Sequence, residues 1–200
     1  MNFENFNKVL LKTKSVRNRL IFIKKYILHG IPFIFDNREN EYFEFRNRIA
    51  EKFNVGFHEV FIVGSAKLGF SFFKNTLFSI DSDIDVVIVN EIIFEKFFKI
   101  ICNFQYKLKN TFTTFSLDQE KQYSHFLQYF IRGWMRPDLL PTFFQVKALK
   151  KDWFDFFNSI SYDKSEVGNY KVNAGLYKNY HYLETYHLNC VDQYYKKIKE

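Results

Sequence analysis

A chain of 200 residues and 24.3 kDa, 47% hydrophobic and 26% charged, has room for one compact domain or for a catalytic core with a small helical extension, and its composition excludes wholesale disorder. Lys and Arg number 29 against 22 Asp and Glu. The resulting net charge of +7 and pI near 9.2 favour polyanionic partners such as nucleotides, nucleic acid or anionic lipid.

Cys102 and Cys190 show no CxxC or Cys/His spacing, which argues against a disulfide framework or zinc site and for a reducing cytoplasm. The start, Met1-Asn2-Phe3-Glu4, has no signal-peptide layout, and no apolar run approaches the ~18–20 residues that span a bilayer. The expectation is a soluble, cytoplasmic protein. Aromatic residues reach 21%, alongside abundant Lys, Asn and Ile, as an AT-rich coding sequence would produce. We read them in bulk as core material.

In chain order, Val16, Leu20, Ile23 and Ile27 keep helical spacing up to Gly30-Ile31-Pro32. Seven basic residues and no acidic one lie between Lys8 and Lys25, the pattern of a basic amphipathic helix. Glu39 to Phe53 reads as a second helix, stopped by Asn54-Val55-Gly56. Val60–Val63 and Ile84–Val89 are short apolar β-type runs, separated by an irregular loop over Phe70–Ser82. Ile92 to Lys109 reads as helix, and Tyr106 to Phe115 alternates enough for a third strand. Gln122–Trp134 and Phe143–Ile160 read as helices, Tyr170–Gly175 as a short strand. Leu176, Tyr180, Leu183, Tyr186 and Cys190 step along one face of a terminal helix. The sum is an α/β (α+β) domain, a small mixed sheet surrounded by helices. Residues 1–54 form an N-terminal helical segment, 55–120 the catalytic core, and 121–200 a mainly helical C-terminal part of the same unit.

One region carries chemistry: Gly64-Ser65-Ala66-Lys67-Leu68-Gly69-Phe70-Ser71, followed by Asp81-Ser82-Asp83-Ile84-Asp85-Val86-Val87-Ile88-Val89. In an extended chain, residues i and i+2 share a face, so Asp83 and Asp85 point the same way. Two carboxylates so placed repel unless a cation lies between them, and hard oxygens suit Mg²⁺ or Mn²⁺ completed by substrate phosphates. Gly64 and Ser65, at a strand-to-helix corner, offer a phosphate cradle, with Lys67 as a nearby positive charge. Together these describe a triphosphate–metal pocket.

The order strand, Gly-Ser, loop, Ser-Asp-Ile-Asp, strand resembles the nucleotidyltransferase superfamily that includes DNA polymerase beta, over about Val60 to Val89. The resemblance implies that Gly64 and Ser65 hold the phosphates of a nucleoside triphosphate. It implies that Asp83 and Asp85 bind metal ions aligning the α-phosphate with an acceptor hydroxyl, so that a nucleoside monophosphate is transferred and pyrophosphate departs. Acceptors in such a family range from a protein hydroxyl, as in toxin–antitoxin enzymes, to a nucleotide or nucleic-acid 3′ end, as in antiviral defence signalling. Active members commonly add a third carboxylate on a later strand. Asp118 and Asp138 are the nearest residues to that role, and neither has the apolar β-context of Asp85.

A second patch, Arg132-Gly133-Trp134-Met135-Arg136-Pro137-Asp138, offers arginines for phosphate and an indole for stacking, or simply a packed helix end. Tyr177 to Tyr182, with Tyr186 and His187, is an aromatic-basic run suited to stacking a base or to packing as a C-terminal helix. The alternative to an enzyme is a catalytically silent protein of this fold that binds nucleic acid or a partner protein.

Overall fold

Alternating apolar residues in short strands, and apolar stripes on the helices around them, set the architecture. The computed structural model describes residues 2–110, 116–140 and 144–199. Helix α1 (Phe3–Leu11) begins at Asn2, whose side chain accepts a hydrogen bond from the Asn5 amide. Helix α2 (Val16–Ile23) begins at Ser15, which accepts from the Asn18 amide. The basic stretch Lys8–Lys25 is therefore two helices, because Ser15 supplies a start signal inside it. Val16 is 55% exposed, whereas Phe22, Ile23 and Ile27 are buried. A π-helical turn, Lys24–Leu28, extends α2. Helix α3 (Glu39–Phe53) stops where expected, with Asn54 left-handed at φ 51°.

Strand β1 (Val60–Val63) runs directly into the five-residue helix α4 (Gly64–Leu68). The expected loop at 70–82 contains a small antiparallel hairpin, β2 (Phe70–Ser71) with β3 (Thr76–Leu77). There follow β4 (Ile84–Val89), α5 (Glu91–Asn110) and α6 (Leu117–Phe130). Then come β5 (Trp134–Met135), α7 (Phe144–Ser159), β6 (Val172–Tyr177) and α8 (Tyr180–Lys199).

Some elements differ from the sequence reading. Tyr106 to Asn110 closes α5 instead of opening a strand, and 111–115, the rest of that stretch, lies outside the described residues. Trp134 is in a strand, because Gly133 at φ 71° turns the chain out of α6. The strand expected at Tyr170 begins at Val172 and keeps Leu176, which therefore belongs to the sheet and not to the terminal helix.

The main sheet has the order β1-β4-β6-β5, with β4 antiparallel to β1 and parallel to β6, and β5 antiparallel to β6. The fold is thus mixed α/β, mostly helical around a small mixed sheet. Two of its four strands come from the part after residue 121. On one face Ile62, Ile84, Val86, Ile88, Val172 and Leu176 meet aromatic side chains of α3, α5, α6 and α7. On the other, Val63, Val87, Val89 and Tyr177 meet Leu183 of α8, and α8 in turn packs on α1 and α2 through Val191 and Tyr194. Each fully buried Ile, Val or Phe contributes roughly 1.5–3 kcal/mol, so this double-sided burial holds the strand ends rigidly. Among the described residues no helix is long and apolar enough to cross a membrane.

Candidate functional site

The corner between β1 and α4 is built around a glycine for two reasons. Gly64 has φ +70°, a left-handed conformation that costs other residues, and a Cβ there would lie 2.7 Å from Oδ2 of Asp85. The register explains the closeness: Val63, the residue before it, is paired with Asp85 across β1 and β4. Ser65 follows at the start of α4, and no side chain caps that start. The Gly-Ser and Asp-x-Asp segments, some twenty residues apart in sequence, therefore meet at one sheet end.

Asp83 lies just before β4 and Asp85 within it. On the adjacent parallel strand, Asn173 is the register partner of Asp85, and its Nδ2 donates a 2.8 Å hydrogen bond to Oδ2 of Asp83. A carboxamide thus stands beside the two carboxylates. The Asp85 side chain is open to water, yet protein surrounds it on most sides. That crowding, reinforced by the negative charge of Asp83, pushes its pKa up to about 6, against the opposing pull of Lys74 and Arg136. Its contact with water works against that desolvation.

Gly64, Ser65, Asp85 and Asn173 border a cavity of about 620 Å³, within the ~300–1,000 Å³ range of small-molecule sites. Arg136 and Lys171 add positive charge to its lining. Arg136 is held by Asp138 through Nε–Oδ1 at 3.2 Å and Nη2–Oδ2 at 2.6 Å, and lies over the Tyr129 and Trp134 rings. Burial disfavours its charge, but the Asp138 carboxylate and, to a smaller extent, the Tyr129 hydroxyl together more than restore it. Trp134, Tyr177, Tyr186 and His187 form an aromatic wall of the same cavity.

The residues expected to act together divide. Gly64, Ser65 and Asp85 line the cavity, and Asp83 is tied to it through Asn173. Lys67 does not join them. Its side chain is buried, and Nζ donates to the carbonyl oxygens of His29 at 2.7 Å and Gly30 at 2.6 Å. Burial, with the charge of Arg46 nearby, lowers its pKa to about 8. Lys67 anchors the 29–30 turn, and its ammonium is not in the cavity lining. Asp118 sits in the first turn of α6, and Asp138 is committed to Arg136.

Sequence reading passed over Asn173 because it sought an acidic residue, and over Gly175 because a glycine in a short strand carries no chemistry of its own. The signal was the alternation Asn173, Gly175, Tyr177, which places all three on the Asp85 face of the sheet. Among the described residues no group of three or more His, Cys, Asp or Glu is placed to hold a metal. Two carboxylates and a neutral amide instead suit a hard divalent cation whose other ligands come from a substrate. Compared with family models, curated proteins and solved structures, the chain matches none.

Proposed function

We propose that the protein is a metal-dependent nucleotidyltransferase, with the polymerase-beta type of catalytic core, transferring a nucleoside monophosphate from an NTP or dNTP to a hydroxyl acceptor. The observation that carries this reading is the meeting of Gly64 and Ser65 with Asp83 and Asp85 at one sheet end, beside a cavity of ligand size. Asp83 and Asp85 would hold Mg²⁺ or Mn²⁺ with carboxylate oxygens; burial first, and the charge of Asp83 second, raise the Asp85 pKa, and a cation would relieve the repulsion between the two. When bound, the ion draws charge from the triphosphate and favours departure of pyrophosphate. Ser65 offers its hydroxyl and backbone amide to the phosphates, and Gly64 keeps the corner free of a side chain. Arg136 and Lys171 supply charge for the remaining phosphate oxygens. The acceptor oxygen bonds to the α-phosphorus as the bond to the bridging oxygen breaks, and the hydroxyl proton passes to solvent.

The test is transfer from α-³²P-labelled NTPs and dNTPs with Mg²⁺ or Mn²⁺, with and without cell extract as acceptor. Label entering a small product, nucleic acid or protein, and lost in Asp83→Ala/Asp85→Ala, is the expected result. Absence of metal-dependent transfer by folded protein with every nucleotide would overturn it.

Asn173 favours a second reading, a silent member of the same fold. With a carboxamide where a third carboxylate would stand, the site carries two negative charges, enough to bind a metal–nucleotide but with less drive to activate an acceptor. Nucleotide binding without transfer is its signature.

A further inference from the structure

Helices α2 and α8 pack antiparallel. Arg19 pairs with Asp192 and lies 5.0 Å from the ring centre of Tyr195, whereas Lys24, further along α2, pairs at 3.2 Å with Glu184, further back in α8. The start of α2 is therefore level with the end of α8. The link from α1 closes on the same end, and the Tyr194 hydroxyl ties α1 to it by donating at 3.0 Å to Oδ1 of Asn7.

That packing collects charge of one sign. Lys12, Lys14 and Arg17 stand about the Ser15 cap of α2, and Lys196, Lys197 and Lys199 lie in the last turn of α8. All six are exposed, and among the described residues none has an ion-pair partner. No acidic residue lies within 8–18 or 193–199, and Asp192, just before the second stretch, is taken by Arg19. A helix C-terminus presents about half a negative charge, so offsetting it does not account for three lysines, let alone six cations. Like charges gathered so closely are matched by a polyanion.

Two observations favour nucleic acid over an anionic membrane. The apolar stripes of α1 and α2 face inward, where Phe6, Leu10, Phe22 and Ile23 pack with Val191 and Tyr194 of α8. A helix that lies on a bilayer turns that stripe outward. Leu11 and Val16 are exposed at this end, but two aliphatic side chains bury little area in lipid. The second observation is the neighbour of the basic end. Phe72 stacks on Phe6 at 5.3 Å and meets the Tyr194 ring at 5.1 Å, and Phe72 and Phe73 also border the cavity beside Asp85. The β2–β3 hairpin is thus a shared wall between the cationic end and the cavity. Lys74, exposed in the same hairpin, is near enough for its charge to act on Asp85, so positive charge continues from one to the other.

We propose that this cationic end of the α1–α2–α8 layer is a docking surface for single-stranded nucleic acid, held through its phosphates. In the nucleotidyl-transfer reading, on which this second step rests, the docked strand is the acceptor and presents its 3′ hydroxyl at the cavity past the hairpin. The surface joins residues from the two ends of the chain, neither of which carries the Gly-Ser or Asp-x-Asp segments.

The experiment is fluorescence anisotropy of the full chain with labelled single strands of about 20 nucleotides, RNA and DNA, across ~50–300 mM KCl. Co-sedimentation with phosphatidylserine–phosphatidylcholine vesicles runs in the same buffers. The strand should bind with a slope of log K against log[KCl] between about −3 and −5, as four to seven phosphate contacts at ~0.7 each require. Lys12→Gln/Lys14→Gln/Lys196→Gln/Lys197→Gln should weaken binding about tenfold or more and flatten the slope by about 2–3. Lys96→Gln/Lys99→Gln/Lys121→Gln/Lys147→Gln removes the same charge from exposed positions on α5, α6 and α7 and should stay within about threefold of the wild type. No strand binding at low salt, with or without vesicle capture, overturns the surface, and so do equal losses in the two variants. With α-³²P-labelled NTP and Mg²⁺, label should enter a docked strand that ends in a 3′ hydroxyl and not one that lacks it. The first variant should then raise KM for the strand about fivefold or more with kcat within twofold. Strand binding with no transfer to any acceptor overturns the nucleotidyl-transfer reading and upholds the surface. Transfer to protein or free nucleotide, with the docked strand unlabelled, overturns the acceptor assignment and leaves that reading standing.

Discussion

Gly64 and Asp85 approach so closely that a methyl group on Gly64 would stand 2.7 Å from the Asp85 carboxylate oxygen. Gly64→Ala therefore carries two penalties, a left-handed backbone at φ +70° and a forced move of Asp85. The first alone costs roughly 1–2 kcal/mol, equivalent to a fall in Tm of about 2–8 °C for a chain of this size. Thermal melts check that loss. Mn²⁺ binding, followed by electron paramagnetic resonance, should weaken beyond what the melt explains, because the carboxylate is displaced.

Asp85 is expected to oppose folding and to serve binding. Folding raises its pKa from 3.8 to about 6, so the folded chain holds the proton more tightly between those values. Stability from this group falls as pH rises from about 4 to about 6, and is level above. Asp85→Asn should melt above the wild type at pH 7, by about 1–3 °C once the water contact of the carboxylate is allowed for, and the two should converge near pH 4. The same variant should lose Mn²⁺ and metal-dependent nucleotide binding. Equal melts at pH 7 would mean that the carboxylate is not under strain.

The Gly-Ser corner and the Asp-x-Asp strand were legible in the sequence because each is local: an apolar β-run beside residues that a turn or a metal requires. The ends of α3 and β4 were legible for the same reason. What the sequence reading missed depends on register across long separations. Asn173 becomes part of the site only through its pairing with Asp85, and Trp134 reaches the cavity only because Gly133 turns it into an edge strand beside Tyr177. Lys67 misled by proximity. Three residues after Gly64 it sits on the turn of α4 that faces His29 and Gly30, and only the tertiary structure brings those carbonyls to it.

Lys67→Met separates structure from binding. The substitution keeps the aliphatic stem and leaves the His29 and Gly30 carbonyls without their donor, a loss of about 1–3 kcal/mol. Tm should fall while Mg²⁺–nucleotide affinity stays within twofold. The wild type should also gain stability between pH 8 and 10, because a folded pKa of about 8 lies below the ordinary value of 10.5, and Lys67→Met should lack that rise. A large loss of nucleotide affinity at unchanged Tm would return Lys67 to the phosphate site.

His187 and Asp85 should pull acid stability in opposite directions. Folding depresses the His187 pKa from 6.5 to about 4, so its contribution is full above 6.5 and is lost as pH falls toward 4. Asp85 contributes a gain over nearly the same interval. The wild type should show a shallow net profile from pH 7 to 4. His187→Leu should unmask the Asp85 rise on acidification, and Asp85→Asn should unmask the His187 fall. Parallel profiles for all three proteins would show that neither group titrates as its burial implies.

Asn173→Asp decides between the transferring and the silent readings. The new carboxylate would stand in register with Asp85 and would face Asp83 where the amide now donates, so one hydrogen bond becomes a repulsion. Without divalent cation the variant should melt several degrees below the wild type at pH 7 and recover much of that difference near pH 4, where carboxyl groups protonate. With Mn²⁺ the order should reverse, because a third anionic oxygen strengthens the site and the added affinity is itself stabilising. If Asn173 is what keeps the chain silent, label transfer from NTP should rise at least tenfold in Asn173→Asp over a wild type near background. If the wild type already transfers and the variant is slower, the amide is part of the working site, and its bond to Asp83 is what positions that carboxylate. Absence of Mn²⁺ binding by both the wild type and the variant would contradict both readings, since each places a divalent cation at Asp83 and Asp85.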